Sequence, residues 1–264
     1  MKLVVYSCVT GSYDNARKTL FKSRAKAEKD TRYVLFTDAF LPKRVKATDT
    51  YWDVKPLVWR HKRCPVRTSR WHKINSHILF PEADYTVWID GSLTIKSIAV
   101  ASELVLRYLG DRPLATFRHP QRNCVYEEAA VCMQLKRDQE ATIVRQMNTY
   151  RGDSYPLFHG LVETACLIRK TTPEITRFNE AWWKEMDLHS FRDQLSFNYV
   201  SWKSGLTYAV IPGQRDKSSF FIHSLHKEKL FKRVAKHILM PLVGPELKAI
   251  YVWRKTFKRL PELP

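Results

Sequence analysis

The stretch Asp84-Tyr85-Thr86-Val87-Trp88-Ile89-Asp90-Gly91-Ser92-Leu93-Thr94-Ile95 decides how this chain is read. Its first half, Tyr85 to Ile89, is a β-branched and aromatic run of strand length, and Asp90-Gly91 is a turn signal that ends it. A carboxylate is thereby set at the carboxyl end of a buried strand, where open α/β sheets receive their ligands. Two readings stand side by side. Asp90 either caps the turn or faces a divalent cation on a diphosphate, because hard oxygen ligands suit Mg or Mn.

Working outward, residues 3–9 predict a first parallel strand running into Thr10-Gly11-Ser12-Tyr13-Asp14, and residues 16–29 a basic helix. That is the opening of a βαβ unit. The loop amides at Thr10 and Gly11, with Tyr13, can receive a base or phosphate, or can form a plain turn. Residues 32–38 predict a second strand ending on Asp38, which either hydrogen-bonds a ribose or base edge or caps its own turn. Residues 43–73 mix Trp52, Trp59 and Trp71 with ten Lys and Arg, among them Lys55, Arg60, Lys62, Arg63, Arg67, Arg70 and Lys73, a composition that also suits a nucleic-acid surface. Within it, residues 69–81 predict one helix with Trp71, Ile74 and Ile78 inward and Pro81 at its end. Arg70 and Lys73, three apart, share a face that leads into the Asp90 strand and suits a pyrophosphate clamp.

Beyond Asp90, residues 95–110 predict an amphipathic helix with Val100, Leu104 and Tyr108 on one side. Residues 114–117 predict a strand. His119, Arg122, Tyr126 and Glu127 then crowd the start of a helix that runs on towards Tyr150, an unusual density of hydrogen-bonding groups. Residues 157–169 predict a bent strand with Gly160 at a close approach, and a helix follows from Pro173. Asp193 opens a further helix, either as a cap or as the group that deprotonates or orients an acceptor hydroxyl. A last strand at residues 206–212 precedes His223, an imidazole able to close a metal site opposite Asp90 or to serve a structural role.

The totals bound the class. With 264 residues, 44% of them hydrophobic, the chain can bury a full core. No run of eighteen apolar residues is present, and the first residues turn polar too soon for a signal peptide. Five scattered cysteines without a CxxC pair exclude a disulfide framework and a thiolate zinc site, and predict a cytoplasmic protein. The formal charge of +19 points to nucleic acid, an anionic membrane or phosphate-bearing small molecules.

Four motifs in order, VWIDGSL after a basic helix ending in LFP, then RHPQRNCVYEEA, GLVETACLIRK and RDQLSF, resemble the bacterial and plant glycosyltransferase-like family once catalogued as domain of unknown function 616. The similarity covers about residues 3–223. It implies a GT-A-like, Rossmann-type α/β nucleotide-sugar domain with a mostly parallel central sheet. It also implies sugar transfer from a nucleotide-activated donor, with a Mn or Mg ion on the diphosphate. Carried onto this sequence, the resemblance implies that Asp90 faces the metal and Arg70 and Lys73 the diphosphate. His119, Arg122, Tyr126, Glu127, Gly160 and Glu163 would face the donor sugar, and Asp193 the acceptor. One departure stands out: Ser92 replaces the second acid of the usual Asp-x-Asp, so His223 is called on as a further metal ligand.

Residues 224–264 predict a tail of two basic amphipathic helices. Between Lys227 and Arg259 ten Lys and Arg face two acids, and Phe231, Tyr251 and Phe257 lie along the apolar side. This pattern describes either an in-plane membrane anchor or a helical pair packed on the domain. With the anchor, the predicted protein is peripheral on the inner face of the cell membrane, and its acceptor is a lipid-linked glycan of a bacterial surface polysaccharide such as O-antigen or capsule. The rival readings, ranked below this one, are a basic nucleic-acid-binding protein and a catalytically inactive membrane-surface adaptor.

Overall fold

A computed structural model describes residues 1–11, 28–47, 50–96 and 101–223 of the chain. Its centre is a mixed, mostly parallel eight-stranded sheet of order β3-β4-β2-β1-β5-β8-β7-β9. The strands are β1 (Leu3–Val9), β2 (Thr31–Thr37), β3 (Arg44–Ala47), β4 (Thr50–Lys55), β5 (Tyr85–Ile89), β7 (Leu114–Arg118), β8 (Val162–Lys170) and β9 (Ala209–Ile211). A separate two-stranded ribbon pairs β6 (Leu93–Ile95) with β10 (Phe221–His223). Seven α-helices are present among the described residues: α1 (Pro65–Ile74), α2 (Ser76–Leu79), α3 (Ala101–Tyr108), α4 (Val125–Gln134), α5 (Glu140–Gly152), α6 (Pro173–Leu188) and α7 (Asp193–Ser204).

The sheet explains why Tyr85–Ile89 reads as a continuous apolar run. β5 sits between β1 and β8 and is covered on both faces, so alternation disappears. One face carries Val5, Val9, Val87, Ile89, Ala115 and Phe117 and packs on Leu104 and Val105 of α3. The opposite face carries Tyr6 and Trp88, stacked edge-on at 5.2 Å beneath α1. The result is a Rossmann-like α/β layering.

Strand order places the ligand edge. The chain enters at β1, moves outward through β2 and β4, and returns to β5 on the other side of β1. The order therefore reverses between β1 and β5, and the crevice outside their carboxyl ends is the natural ligand site of such a sheet. Thr10, Gly11 and Asp90 all lie there.

Several elements differ from their sequence expectation. The helix expected over residues 69–81 starts earlier, at Pro65, and breaks at Asn75. The break turns Ile78 outward, leaving it 55% exposed instead of in the core. The expected run from Glu127 to Tyr150 is two helices, divided at residues 135–139. Within the basic aromatic stretch, β3 and β4 form an unforeseen hairpin-like edge, and Trp52 is wholly buried against Tyr33. The predicted helix over residues 16–29, Tyr13, Val100 and the tail at residues 224–264 lie outside the described residues or at their margin. Among the described residues no helix is long and apolar enough to cross a membrane.

Candidate functional site

Asp90 emerges from the tip of β5 with its backbone N–H bonded to Ala165 O on β8. Trp88, two residues earlier and thus on the same face of the strand, donates its indole N–H to Asp90 Oδ1 at 2.8 Å. Lys73 Nζ lies 3.2 Å and Arg70 Nη1 3.7 Å from the same oxygen. These contacts all fall on Oδ1, and the Asp90 side chain is 24% exposed.

Lys73 and Arg70 reach a second carboxylate. Lys73 Nζ is 2.5 Å from Asp193 Oδ2, and Arg70 Nε is 3.5 Å from it. Thr164 Oγ1 donates to the same oxygen at 2.7 Å and accepts from Lys73 at 3.0 Å. Asp193 is the first residue of α7, yet its side chain does not cap that helix; it turns to Lys73 and Thr164. Burial alone would raise its carboxyl pKa, but Arg70, Lys73 and Arg192 outweigh this and hold it well below the usual carboxylate range. The surrounding cations thus favour the Asp193 carboxylate and weaken it as a proton acceptor.

Two features position the cations. Arg169, fully buried without a carboxylate partner among the described residues, donates to Lys73 O at 2.8 Å, to Ile74 O at 3.1 Å and to the Tyr6 hydroxyl. A cation there satisfies the orphan carbonyls at the end of α1 and complements its dipole. At the other end, Gly11 lies at φ +68° with an added Cβ only 2.5 Å from Pro65 Cβ. The start of α1 thus rests on the loop after β1, and that contact admits only glycine.

Thr10 and Gly11 meet Asp38. Thr10 Oγ1 donates to Asp38 Oδ2 at 2.7 Å and Gly11 N–H donates to it at 3.2 Å. Asp38 so ties the ends of β1 and β2 together, a cross-strand contact distinct from both the ribose contact and the cap of its own turn that the sequence suggested.

The far side of the edge is built by β7 and β8. His119 follows β7, is 9% exposed, and accepts from Arg122 N–H through Nδ1 at 3.1 Å. Arg122 Nε donates to Glu128 at 2.7 Å, and His119 Nε2 lies 3.7 Å from the same carboxylate. Burial lowers the His119 pKa; Glu128 opposes this, while Arg122, Arg215 and Arg192 add to it. Glu163 pairs with Arg215 at 2.6 Å. Arg215 arrives on the segment that leaves β9 and crosses to β10, held at its end by Lys96 Nζ donating to Ser218 O at 2.7 Å. Glu163 and Thr164 stand at an irregularity: β7 pairs Thr116 with Leu167 but Phe117 with Glu163, so β8 bulges between them. The Thr116 hydroxyl, 2.8 Å from Cys166 O and 3.2 Å from Glu163 O, closes the bulge with its one proton.

Asp38, Thr10, Asp90, Asp193 and His119 thus form a row along one sheet edge, from β2 to β7, four strand spacings or about 19 Å. Other expected residues fall differently. Lys73 is wholly buried between the two carboxylates, so in this arrangement it organises them instead of opening to a ligand. Tyr126 is buried and donates its hydroxyl to Tyr155 O, which makes it part of the helix packing and takes it out of the row. Glu127 is half-buried on α4, and it is Glu128, one residue on, that turns inward to Arg122. Gly160 sits at φ +89° against Asn198 and Tyr208. His223 pairs through its backbone opposite Leu93 in the β6–β10 ribbon, while its side chain lies outside the described residues, as does Tyr13.

Four participants escaped the sequence reading. Trp88 had a usable signal, the period-two step from Asp90. Thr164 adjoins Glu163 but points elsewhere because of the bulge, Glu128 required the phase of α4, and Arg215 carried no local signal at all. Among the described residues no three His, Cys, Asp or Glu come together in a way that could hold a metal.

Comparison with known proteins agrees with this architecture. A plant protein of Arabidopsis thaliana, named as probable hexosyltransferase MUCI70, is 29% identical over 145 residues, 51% of this chain and 24% of that protein. The chain therefore matches about a quarter of the length of that relative. The profile described as TOD1/MUCI70, glycosyltransferase-like domain, matches residues 1–211. On that match, which spans most of the sequence and every strand of the central sheet, the chain belongs to the TOD1/MUCI70 glycosyltransferase-like family.

Proposed function

We propose that this protein transfers a hexose from a nucleotide-sugar donor to a glycan acceptor, using a GT-A-like site along the carboxyl edge of the sheet. The observation that carries the reading is the convergence of Asp90, Arg70, Lys73 and Asp193 outside the crevice between β1 and β5. The nucleoside lies over the β1–β2 end, where Thr10, Gly11 and Asp38 present a hydroxyl, an amide and a carboxylate. The diphosphate lies at Asp90, with the partly exposed Arg70 as the guanidinium nearest to it. Neutralising charge that develops on a leaving diphosphate is electrostatic catalysis.

A divalent cation fits this site only in a limited way. Asp90 supplies one hard oxygen donor, Ser92 supplies a hydroxyl where a second acid is usual, and no described cage completes the shell. That donor set suits a Mn or Mg ion that arrives on the diphosphate and keeps its waters. When bound, such an ion neutralises the leaving group; His223 is the proposed additional ligand. Asp193 orients the acceptor hydroxyl and fixes Lys73, since its depressed pKa makes it a weak base.

The reading extends to a lipid-linked acceptor of a bacterial surface polysaccharide, met at the inner membrane face. Its support is the basic amphipathic sequence of residues 224–264. Replacing Asp90 by Asn is the direct test. Transfer or donor hydrolysis, assayed across sugar nucleotides with Mn present, is expected to fall about 10²- to 10³-fold while the circular dichroism stays native. Full turnover in Asp90→Asn removes Asp90 from the reaction.

A further inference from the structure

We infer that Leu157 and Phe158, at the apex of the loop that enters β8, form an apolar tip that inserts into an anionic lipid surface. The inference deepens the reading of a lipid-linked acceptor and rests on that reading for the tip's purpose.

β8 runs antiparallel to β5, so its first residues stand at the edge where Asp90 emerges. Leu161 O there accepts from His119 N–H at 2.8 Å, and Val162 N–H donates to Asn198 Oδ1 at 3.0 Å. The other end of the loop is equally fixed. Tyr155 is buried; its O accepts from the Tyr126 hydroxyl at 3.0 Å, and its N–H donates to Tyr150 O at 2.9 Å. Between these anchors Leu157 is 60% exposed and Phe158 58%. Two adjacent large apolar side chains are thus held out in water by a loop tied at both ends.

The backbone is strained at the same place. Phe158 lies at φ +55°, a region that crowds the Cβ of any residue but glycine. Four non-glycine residues adopt that region among the described residues, and the other three are Asp30, Lys136 and Ser154. Phe158 is the one bulky apolar side chain of the four, and so exposed a ring gains little burial to offset the strain. Strain that the fold keeps without a packing gain points to a task outside the fold.

The surroundings select the partner. Arg151 stands 5.4 Å over the Tyr126 ring and Lys203 5.2 Å over the Tyr199 ring, both at the foot of the loop. Arg118, exposed at the end of β7, pairs opposite Val162, and Asp153 answers Lys203 at 2.7 Å. Trp202, 36% exposed, packs edge-on against Tyr155 at 5.3 Å. An apolar tip with an indole at its base and cations around it matches an interfacial anchor. The tip enters the acyl boundary and the cations meet anionic headgroups. A soluble glycan would stack on one aromatic face, and an exposed leucine beside the ring adds nothing to that contact.

Flotation of the full chain tests this, with vesicles of phosphatidylcholine alone or containing about a third phosphatidylglycerol. Binding is expected on the anionic vesicles and should be weaker on phosphatidylcholine alone. The double variant Leu157→Gln, Phe158→Gln should bind about tenfold or more weakly. Phe158→Trp should bind at least as well as wild type. Phe158→Gly should lose binding with a Tm no lower than wild type, because glycine relieves the left-handed φ.

No flotation of the wild type, equal flotation with both vesicles, or equal flotation of the double variant overturns the inference. So does a lowered Tm in the double variant, which would mean that the chain itself covers the tip. A Phe158-dependent loss of transfer to a soluble glycan, with vesicle binding unchanged, would assign the ring to sugar and also overturn it. Vesicle binding needs no sugar donor. Phe158-dependent binding therefore keeps the tip even where Asp90→Asn retains full transfer and the site reading falls.

Discussion

Lys73 has no surface of its own, and its ammonium is surrounded by Asp193 at 2.5 Å, Thr164 at 3.0 Å and Asp90 at 3.2 Å. Buried charges survive only when paired, so each member of the cluster depends on the others. Lys73→Met is expected to cost about 3–5 kcal/mol, because it takes from the Asp193 carboxylate its nearest cation and leaves Arg70 and Arg192 to answer it. Adding Asp193→Asn to that variant should recover a large part of the loss. Urea unfolding of the two variants decides it; a Lys73→Met protein as stable as wild type would show that the cluster carries no net interaction. At this scale much was readable from sequence. Asp90, Arg70 and Lys73 converge, as helical spacing and a strand end suggested. The burial of Lys73 was not readable, because it depends on Thr164 and Asp193, far along the chain and brought close only by β8 and α7.

At the level of elements, α1 carries the cations and is pinned at both ends, by the Gly11–Pro65 contact and by Arg169 under its last carbonyls. Gly11→Ala should be damaging out of proportion to one methyl group. It forces a left-handed φ on alanine and a clash with Pro65, together about 1–3 kcal/mol or more. Thermal melts measure the loss, and a change within a few tenths of a kcal/mol would mean that the loop after β1 yields freely. Helices were located well where caps and prolines marked them, as at Pro173, and poorly where they were broken. The interruption at Asn75 and the division at residues 135–139 carry no proline, so periodicity ran straight through them. β3 and β4 were missed because their cations and Trp52 resemble a binding surface until the tertiary fold buries the indole.

For the molecule as a whole, His72 makes folding sensitive to acid. Its Nδ1 faces Thr68 O at 2.8 Å and its Nε2 accepts from Val58 N–H at 3.1 Å, which fixes a neutral ring. Burial pushes its pKa down to about 4, against the pull of the Thr68 carbonyl. The sign follows directly. Between the unfolded value near 6.5 and about 4 the unfolded chain binds a proton that the folded chain refuses, so stability is full above that window and falls as pH drops through it. The share lost is on the order of 3 kcal/mol. An NMR titration of the His72 ring should show a midpoint near 4; a midpoint near 6.5 would mean that the ring is open to water. The fold class was legible because parallel strands buried on both faces write continuous apolar runs. The full sheet order was not, since β8 enters antiparallel and β9 returns to pair with β7.

The bulge in β8 sets neighbouring residues to different tasks. Glu163 answers Arg215 and Thr164 answers Asp193, and a single hydroxyl, that of Thr116, keeps the kink between them closed. The pairing with Arg215 and the pairing with Asp193 are therefore held one peptide bond apart. A small side chain on a buried strand thus acts as the gauge for the spacing of two charged pairs, and Thr116→Val, which removes its hydroxyl, is expected to loosen both.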